Sequence, residues 1–192
     1  MPTLREALLS LYGVWRLAHL DPKGLGCFDA SFTGFWRSFG AAIYAAPLFL
    51  LIILLRAVSP LATDDGSTAT DYLVAEFVAY SLDWIAFPAV MAVIAWNYHL
   101  KHVYVRYIVA YNWCKAAIIG AVLLYTPIIY SGILSEGLLA MAIFLVQGIL
   151  LFFLWFVTRS ALGVTPVFAG LLVAVETLVS LLLLALTGRL LG

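Results

Sequence analysis

The sequence has little charge, and this scarcity excludes several classes of protein. Of its 192 residues only 10% are charged and 65% are apolar, whereas a soluble domain is about half apolar and about a quarter charged. The basic and acidic residues balance to a formal net charge of zero, which gives no overall attraction to nucleic acid or to an acidic substrate. The composition is that of an integral membrane protein.

Motifs for catalysis and cofactor binding are also absent. The sequence has no glycine-rich phosphate loop, nucleophile elbow, zinc motif or nucleotide fingerprint. Cys27 falls in a loop and Cys114 in the middle of a predicted span, so we expect no disulfide between them. Arg5, Glu6 and Arg16 interrupt the N-terminal leucines, so we also expect no cleaved signal peptide. The expectation is a protein that is not an enzyme and holds no cofactor.

Long apolar runs predict five membrane-spanning helices. Each run is long enough to cross a hydrocarbon core about 30 Å thick, and the approximate ranges are 39–58, 72–97, 103–130, 137–157 and 165–187. Pro47 should kink the first span and free one carbonyl, which a neighbouring helix must satisfy. The loop 59–71 carries three aspartates and should be solvated. The predicted fold is an all-α, polytopic transmembrane helix bundle in a single domain.

Residues 3–20 predict an amphipathic N-terminal helix. One face of this helix would carry Leu4, Leu8, Leu11, Trp15 and Ala18. Leucines also fall on the opposite face, so two arrangements stay open. The helix either lies in the membrane interface as an anchor or packs beneath the bundle.

An aromatic segment follows the N-terminal helix, after a turn at 21–26. Asp29 or Ser31 can cap the next helix. The segment combines Arg37 with the closely spaced aromatic residues Phe28, Phe32, Phe35, Trp36 and Phe39. This combination is typical of an interfacial girdle where a helix enters the bilayer.

Lysine and arginine are distributed unevenly between the two ends of the predicted spans. One side receives Arg56 and Arg189, and the other receives Arg5, Arg16, Lys23, Arg37, Lys101, Arg106 and Arg159. Basic residues favour the cytoplasmic side. We therefore expect a cytoplasmic N-terminus and an external C-terminus, in a bacterial-type inner membrane.

Four polar residues fall near the middle of four different predicted spans, and they are Asp83, Lys115, Gln147 and Glu176. At about 1.5 Å rise per residue, all four lie close to the bilayer midplane. An unpaired charge there costs about 2.5–3.5 kcal/mol or more. We therefore predict a buried midplane cluster in which Asp83 pairs with Lys115. Glu176 either completes an acid–base–acid triad or stays protonated.

Two further polar sets accompany this midplane cluster. Glu76 lies nearer the outer surface, at the depth of Arg56, which predicts an outer-end ion pair. Tyr104, Tyr107 and Tyr111 share one face of the third span and form a tyrosine stripe that leads to the lysine. His99 and His102 are the only candidates for a metal site, and nothing near them in sequence completes one. We therefore expect no metal.

The sequence favours one function and leaves two alternatives. The first is a non-catalytic scaffold or accessory component of a larger membrane assembly, with the lipid bilayer and other membrane proteins, or further copies of itself, as partners. The second is a small proton- or ion-coupled transporter or channel that uses Asp83, Lys115 and Glu176. The third is a lipid-modifying enzyme that uses the interfacial His99 and His102. A water-filled cavity that reaches the midplane charges would favour transport over a purely structural ion pair.

Overall fold

The computed structural model describes residues 1–57 and 69–189, and these ranges contain helices and no strand. A short 3₁₀ helix covers Pro22–Cys27, and the α-helices are α1 (Leu4–Ala18), α2 (Phe32–Ser38), α3 (Ala41–Ala57), α4 (Ala69–Asn97), α5 (Lys101–Tyr130), α6 (Glu136–Leu162) and α7 (Pro166–Arg189). Five stretches of the described residues are long and apolar enough to cross a membrane: Phe32–Arg56, Tyr72–Asn97, Lys101–Tyr130, Glu136–Leu162 and Pro166–Thr187. The predicted all-α, five-span class is confirmed.

The bounds of two predicted spans differ from those observed. The first apolar stretch begins at Phe32 because α2 and α3 follow each other with only a turn at Phe39 and Gly40 between them. The helix of the fourth predicted span continues to Leu162, so Arg159 lies in α6 and not in the turn after it. The predicted loop 59–71 falls mostly outside the described residues, and α4 already begins at Ala69.

Helix α5 is the central element of the bundle. It packs against α3, α4 and α6, and α7 closes a ring by packing against both α4 and α6. The helices α1 and α2 also pack on α5, near its first half. We call the side that holds these helices and the α4–α5 connection the N-terminal side, and the opposite side the far side. The ring of α4, α5, α6 and α7 positions the candidate site.

The N-terminal helix α1 buries a face of small residues and leaves its larger apolar residues outside. The buried residues of this helix are Ala7, Ser10, Gly13, Val14 and Leu17. Leu4 and Trp15, both on the predicted apolar face, are 71% and 56% exposed. The helix therefore packs on the bundle while its leucine face remains available to lipid, and its place at the membrane interface stays a prediction.

The predicted aromatic girdle divides between two environments. Phe32 and Trp36 point outward, at 71% and 62% exposed, whereas Phe28 is buried. Ser31 is the residue that caps α2, because its hydroxyl accepts a hydrogen bond from the Gly34 N–H at 3.0 Å. Arg37 forms an ion pair with Glu6 of α1. This pair fastens α1 to the start of the first span.

Two helices, α1 and α4, are each followed two residues later by a residue with the left-handed backbone conformation. Leu20 and His99 have φ angles of 58° and 61°, which is unusual for residues other than glycine. The N–H of the residue after each one reaches back five positions, from Asp21 to Arg16 and from Leu100 to Ala95. This is the hydrogen bond of a Schellman motif. It reverses the chain sharply between α4 and α5.

Candidate functional site

A cavity of about 420 Å³ lies inside the ring formed by α4, α5, α6 and α7, and it is open to the protein surface. Aliphatic side chains make up much of its wall. Four aromatic residues join them, namely Phe49, Tyr80, Tyr111 and Tyr125. The polar and charged residues that line the cavity are Glu76, Asp83, Lys115, Gln147, Glu176, Thr177 and Ser180. Three of the four predicted midplane spans thus contribute an ionisable group.

The cavity extends from the middle of the bundle toward the far side along three of its helices. Glu76, Tyr125 and Leu184 line it, and they lie on the far-side halves of α4, α5 and α7. On the N-terminal side the ring is tightly packed, and five of its side chains there are at most 2% exposed, namely Phe87, Met91, Tyr107, Ile108 and Leu172. The charged groups therefore lie at the inner end of a cavity that is closed on its N-terminal side.

The structure brings Asp83 and Lys115 together at the inner end of the cavity. Lys115 Nζ lies 2.7 Å from Asp83 Oδ2, and it also donates a hydrogen bond of 2.7 Å to the main-chain carbonyl of Asp83. The lysine is buried, and the aspartate side chain is 30% exposed. Consecutive antiparallel helices thus hold opposite charges in contact.

Helix α7 contributes a third polar contact to this pair. The hydroxyl of Ser180 donates a hydrogen bond of 3.0 Å to Asp83 Oδ1. Both carboxylate oxygens of Asp83 therefore have partners, one on α5 and one on α7. Because charge-assisted hydrogen bonds are the strongest of their kind, this carboxylate ties three helices to one another.

Glu176 lies apart from the ion pair and makes a different contact. Its Oε1 accepts a hydrogen bond of 3.0 Å from the hydroxyl of Tyr111. Lys115 and Asp83 form the only ion pair at this depth among the described side chains, and Glu176 has no cation within 4.0 Å there. The structure thus contains a pair and a separate acid, with no direct contact between Glu176 and Lys115.

Gln147 departs from the predicted burial of the midplane layer. It lines the cavity from α6, but it is exposed. The prediction assumed close packing, but no residue in the most apolar window of α6 is buried inside the bundle. Gln147 therefore lines the cavity as an exposed polar side chain and is not part of a buried cluster.

The three residues of the tyrosine stripe have three different partners. The hydroxyl of Tyr104 donates a hydrogen bond to the carbonyl of Pro88 at 3.0 Å, and that of Tyr107 shares one with Thr158 at 3.2 Å. Only Tyr111 lines the cavity. The stripe therefore does not form an open path from the N-terminal side, because its hydroxyl groups hold α5 against α4, α6 and α7.

The predicted outer-end pair lies at the far-side part of the cavity. Arg56 Nη1 lies 4.0 Å from Glu76 Oε1, and the two side chains are 39% and 18% exposed. Glu76 lines the cavity. The pair joins α3 to α4 at the far-side part of the cavity.

His99 and His102 do not form a recognisable site. Both are exposed, and His99 adopts the left-handed conformation that ends α4. The described residues contain no group of three or more His, Cys, Asp or Glu side chains that could hold a metal ion. The backbone position of His99 is explained by the chain reversal alone.

Several cavity residues were not part of the predicted site. Tyr80 shares a helical face with Asp83, which is a signal in the sequence, and its hydroxyl donates to the carbonyl of Ala42 at 2.5 Å. That carbonyl lies one residue before the one that Pro47 frees. Phe49 and Tyr125 line the cavity from α3 and α5. Nothing in the sequence marks these two rings, because only the tertiary arrangement turns them inward.

The fold and the cavity define the class of this protein as a polytopic transmembrane helix bundle with ionisable groups inside it. No family model, curated protein or solved structure matches the chain.

Proposed function

We propose that the protein is a small proton- or ion-coupled transporter that works through Asp83, Lys115 and Glu176. One observation carries the proposal: a cavity of about 420 Å³ reaches these three residues inside the bundle. Ionisable residues at membrane depth commonly mark ion, proton or substrate paths. A structural ion pair needs no cavity beside it, so the open volume favours transport over a purely structural role.

The arrangement suggests how one solute or proton could change the fold. Asp83 connects α4 to α5 through Lys115 and to α7 through Ser180. Neutralising its charge would weaken both contacts at once, because each depends on the carboxylate. The dry layer around Phe87 and Tyr107 would be the closed gate of the state described. Loss of the Asp83 contacts would free α7 and α4 to separate at that layer.

Reconstitution into proteoliposomes tests this function. Flux of protons and of monovalent cations would be measured for the wild type, for Lys115→Met and for Lys23→Met. Lys115→Met should lose flux because Asp83 loses its partner, and Lys23→Met, which changes an exposed lysine of the 3₁₀ helix, should keep it. Absence of flux for every ion tested, or full flux in Lys115→Met, would contradict the proposal.

We propose further that the N-terminus is cytoplasmic, that the membrane is a bacterial inner membrane, and that the cavity opens to the outside. The uneven lysine and arginine distribution supports this orientation. Single cysteines can test it in a variant without Cys27 and Cys114. In intact cells, a membrane-impermeant thiol reagent should label Ser180→Cys in the cavity, and it should spare Thr158→Cys, which is buried on the N-terminal side. Labelling of Ser180→Cys only in inverted vesicles would reverse the orientation.

A scaffold or accessory role in a larger assembly is the second candidate function. The observation in its favour is a shallow apolar groove of about 480 Å³ on α6, centred on Gly148. Phe144 and Leu145 beside it are 82% and 63% exposed. A helix of another membrane protein would fit there. Sizing in native-like lipid would test the role, and a lone monomer whose size Gly148→Leu leaves unchanged would count against it.

A further inference from the structure

We propose that the cavity binds an organic ammonium ion that carries an apolar substituent, with Glu176 as its counter-charge. The inference rests on the proposed transport function and names the class of its substrate. It follows from the charges, the aromatic rings and the aliphatic walls that the fold brings to one place.

The charges that line the cavity do not balance. Asp83 and Lys115 neutralise each other at 2.7 Å, and Glu76 has Arg56 as its partner at 4.0 Å. Glu176 is left with a neutral partner, the Tyr111 hydroxyl. A carboxylate in a low-dielectric cavity attracts either a proton or a cation to compensate its charge. A cation such as an ammonium ion, placed next to Glu176, would therefore compensate the negative charge of that carboxylate.

The aromatic residues of the cavity also suit a cation. The rings of Phe49 and Tyr80 are stacked with their centroids 4.5 Å apart. Lys115 Nζ already lies 5.6 Å from the ring centroid of Tyr111, within the range of a cation–π interaction. Recognition of quaternary ammonium groups is a well-known functional use of such aromatic surfaces. The same walls would disfavour an anion, whose charge meets the negative ring faces.

The lining does not suit a bare metal ion. A hard cation needs about six oxygen ligands at short distance, and the described residues hold no cluster of three or more metal-ligating side chains. The Ser180 hydroxyl donates to Asp83 and the Thr177 hydroxyl to the carbonyl of Val173. Aliphatic side chains such as Ile118, Val122 and Leu181 cover much of the remaining wall. An organic cation satisfies these walls with its substituent, which a hydrated metal ion cannot do.

The volume agrees with a ligand of this kind. Pockets for small molecules measure about 300–1,000 Å³, and this cavity measures about 420 Å³. Benzyltrimethylammonium is a suitable probe because it combines a quaternary nitrogen with one aromatic ring. Neopentylbenzene is its neutral counterpart, since a carbon atom replaces the nitrogen without a change of shape.

The test is equilibrium binding to the full-length protein in lipid nanodiscs, with empty nanodiscs as the reference for partitioning into lipid. Benzyltrimethylammonium should bind the wild type, and neopentylbenzene should bind at least about tenfold more weakly. Glu176→Gln should weaken the cation at least about tenfold, which corresponds to about 1.4 kcal/mol. Glu136→Gln is the matched control because it removes an exposed acid at the start of α6, outside the cavity.

Two variants separate charge from folding. Glu176→Asp keeps the charge and should retain part of the affinity, and Tyr80→Leu should weaken the cation more than the neutral probe. Equal affinity for the two probes, or an unchanged cation affinity in Glu176→Gln, would overturn the inference. Ion flux without cation binding would refute this inference and leave the transport function standing. Cation binding without flux would refute transport and leave the ligand site standing.

Discussion

The ammonium group of Lys115 makes two contacts with one residue, the side chain and the main-chain carbonyl of Asp83, both at 2.7 Å. The second contact is to a helix backbone, so it depends on the position of α4 and not on a side-chain rotamer. The lysine is thereby held at a fixed depth in the bundle. The other carboxylate oxygen of Asp83 accepts a hydrogen bond from Ser180 on α7.

Lys115→Met should destabilise the protein by up to about 3 kcal/mol, because it leaves Asp83 without its cation. The double variant Asp83→Leu/Lys115→Met should recover much of this loss, since replacing both charges of a pair with apolar groups is often neutral. Thermal unfolding in one detergent would measure both, with Lys23→Met as the control at an exposed position. A double variant less stable than Lys115→Met would contradict this expectation and would show that Asp83 stabilises the fold through other contacts, such as that with Ser180.

Gly24→Ala should destabilise the packing of the 3₁₀ helix against α1, whereas Gly26→Ala should not. A Cβ atom at Gly24 would lie 2.5 Å from the carbonyl oxygen of Gly13, and backbone there cannot move aside easily. Nothing lies within 4 Å of a Cβ at Gly26. The first change should lower stability by about 1–3 kcal/mol, as measured by thermal unfolding. Equal effects of the two changes in the same 3₁₀ helix would mean that α1 does not pack this closely.

His99→Gly should stabilise the protein by about 1 kcal/mol, because glycine adopts the left-handed conformation at φ 61° without the penalty of a side chain. The matched change His102→Gly should destabilise it by up to about 1 kcal/mol, since residue 102 lies in the first turn of α5. Unfolding temperatures would give both signs. The same two variants test whether the protein is a lipid-modifying enzyme that uses these histidines, because such an enzyme would lose activity in both.

Asp21→Asn should remove part of the loss of folding stability that the protein shows at acid pH. The Arg16 guanidinium and the Lys23 N–H hold the pKa of Asp21 below its ordinary value of 3.8. A carboxyl with a lowered pKa stabilises the fold fully above that ordinary value, and the stabilisation disappears as the pH falls through the lowered one.

The difference in unfolding temperature between wild type and Asp21→Asn should therefore be largest near neutral pH and shrink below pH 3.8. Arg16→Gln should show the same behaviour, since it removes the other half of the contact. A difference that stays constant with pH would assign the effect to packing and not to charge.

The sequence predicted the helices better than it predicted the space between them. Depth along each span depends only on residue count, so the contact of Asp83 with Lys115 followed from their positions in two antiparallel helices. The exposure of Gln147 could not be deduced in this way, because it depends on a gap between α6 and its neighbours. Helical periodicity gives the face of a residue, but the cavity arises from how far apart the helices stand.

The N-terminal helix is a second case in which pattern and packing differ. The spacing of Leu4 and Trp15 indicated an apolar face, and an apolar face normally packs inward in a soluble protein. Here the small residues Gly13 and Ser10 are buried while that face points outward. In lipid there is no hydrophobic drive to bring leucines together, and small side chains let helices approach closely. The pattern identified the helix correctly and left its orientation undetermined.

The tight reversal at Tyr98, His99 and Leu100 has a consequence for how the chain enters the membrane. We expect helices joined so closely to enter the bilayer together as a hairpin, with Asp83 and Lys115 as a neutral couple before α6 and α7 have been synthesised. Glu176 follows on the last helix and meets a bundle whose charges are already cancelled. Among the described residues of this layer, Glu176 is therefore the acid whose charge Lys115 does not already compensate when α7 joins the bundle.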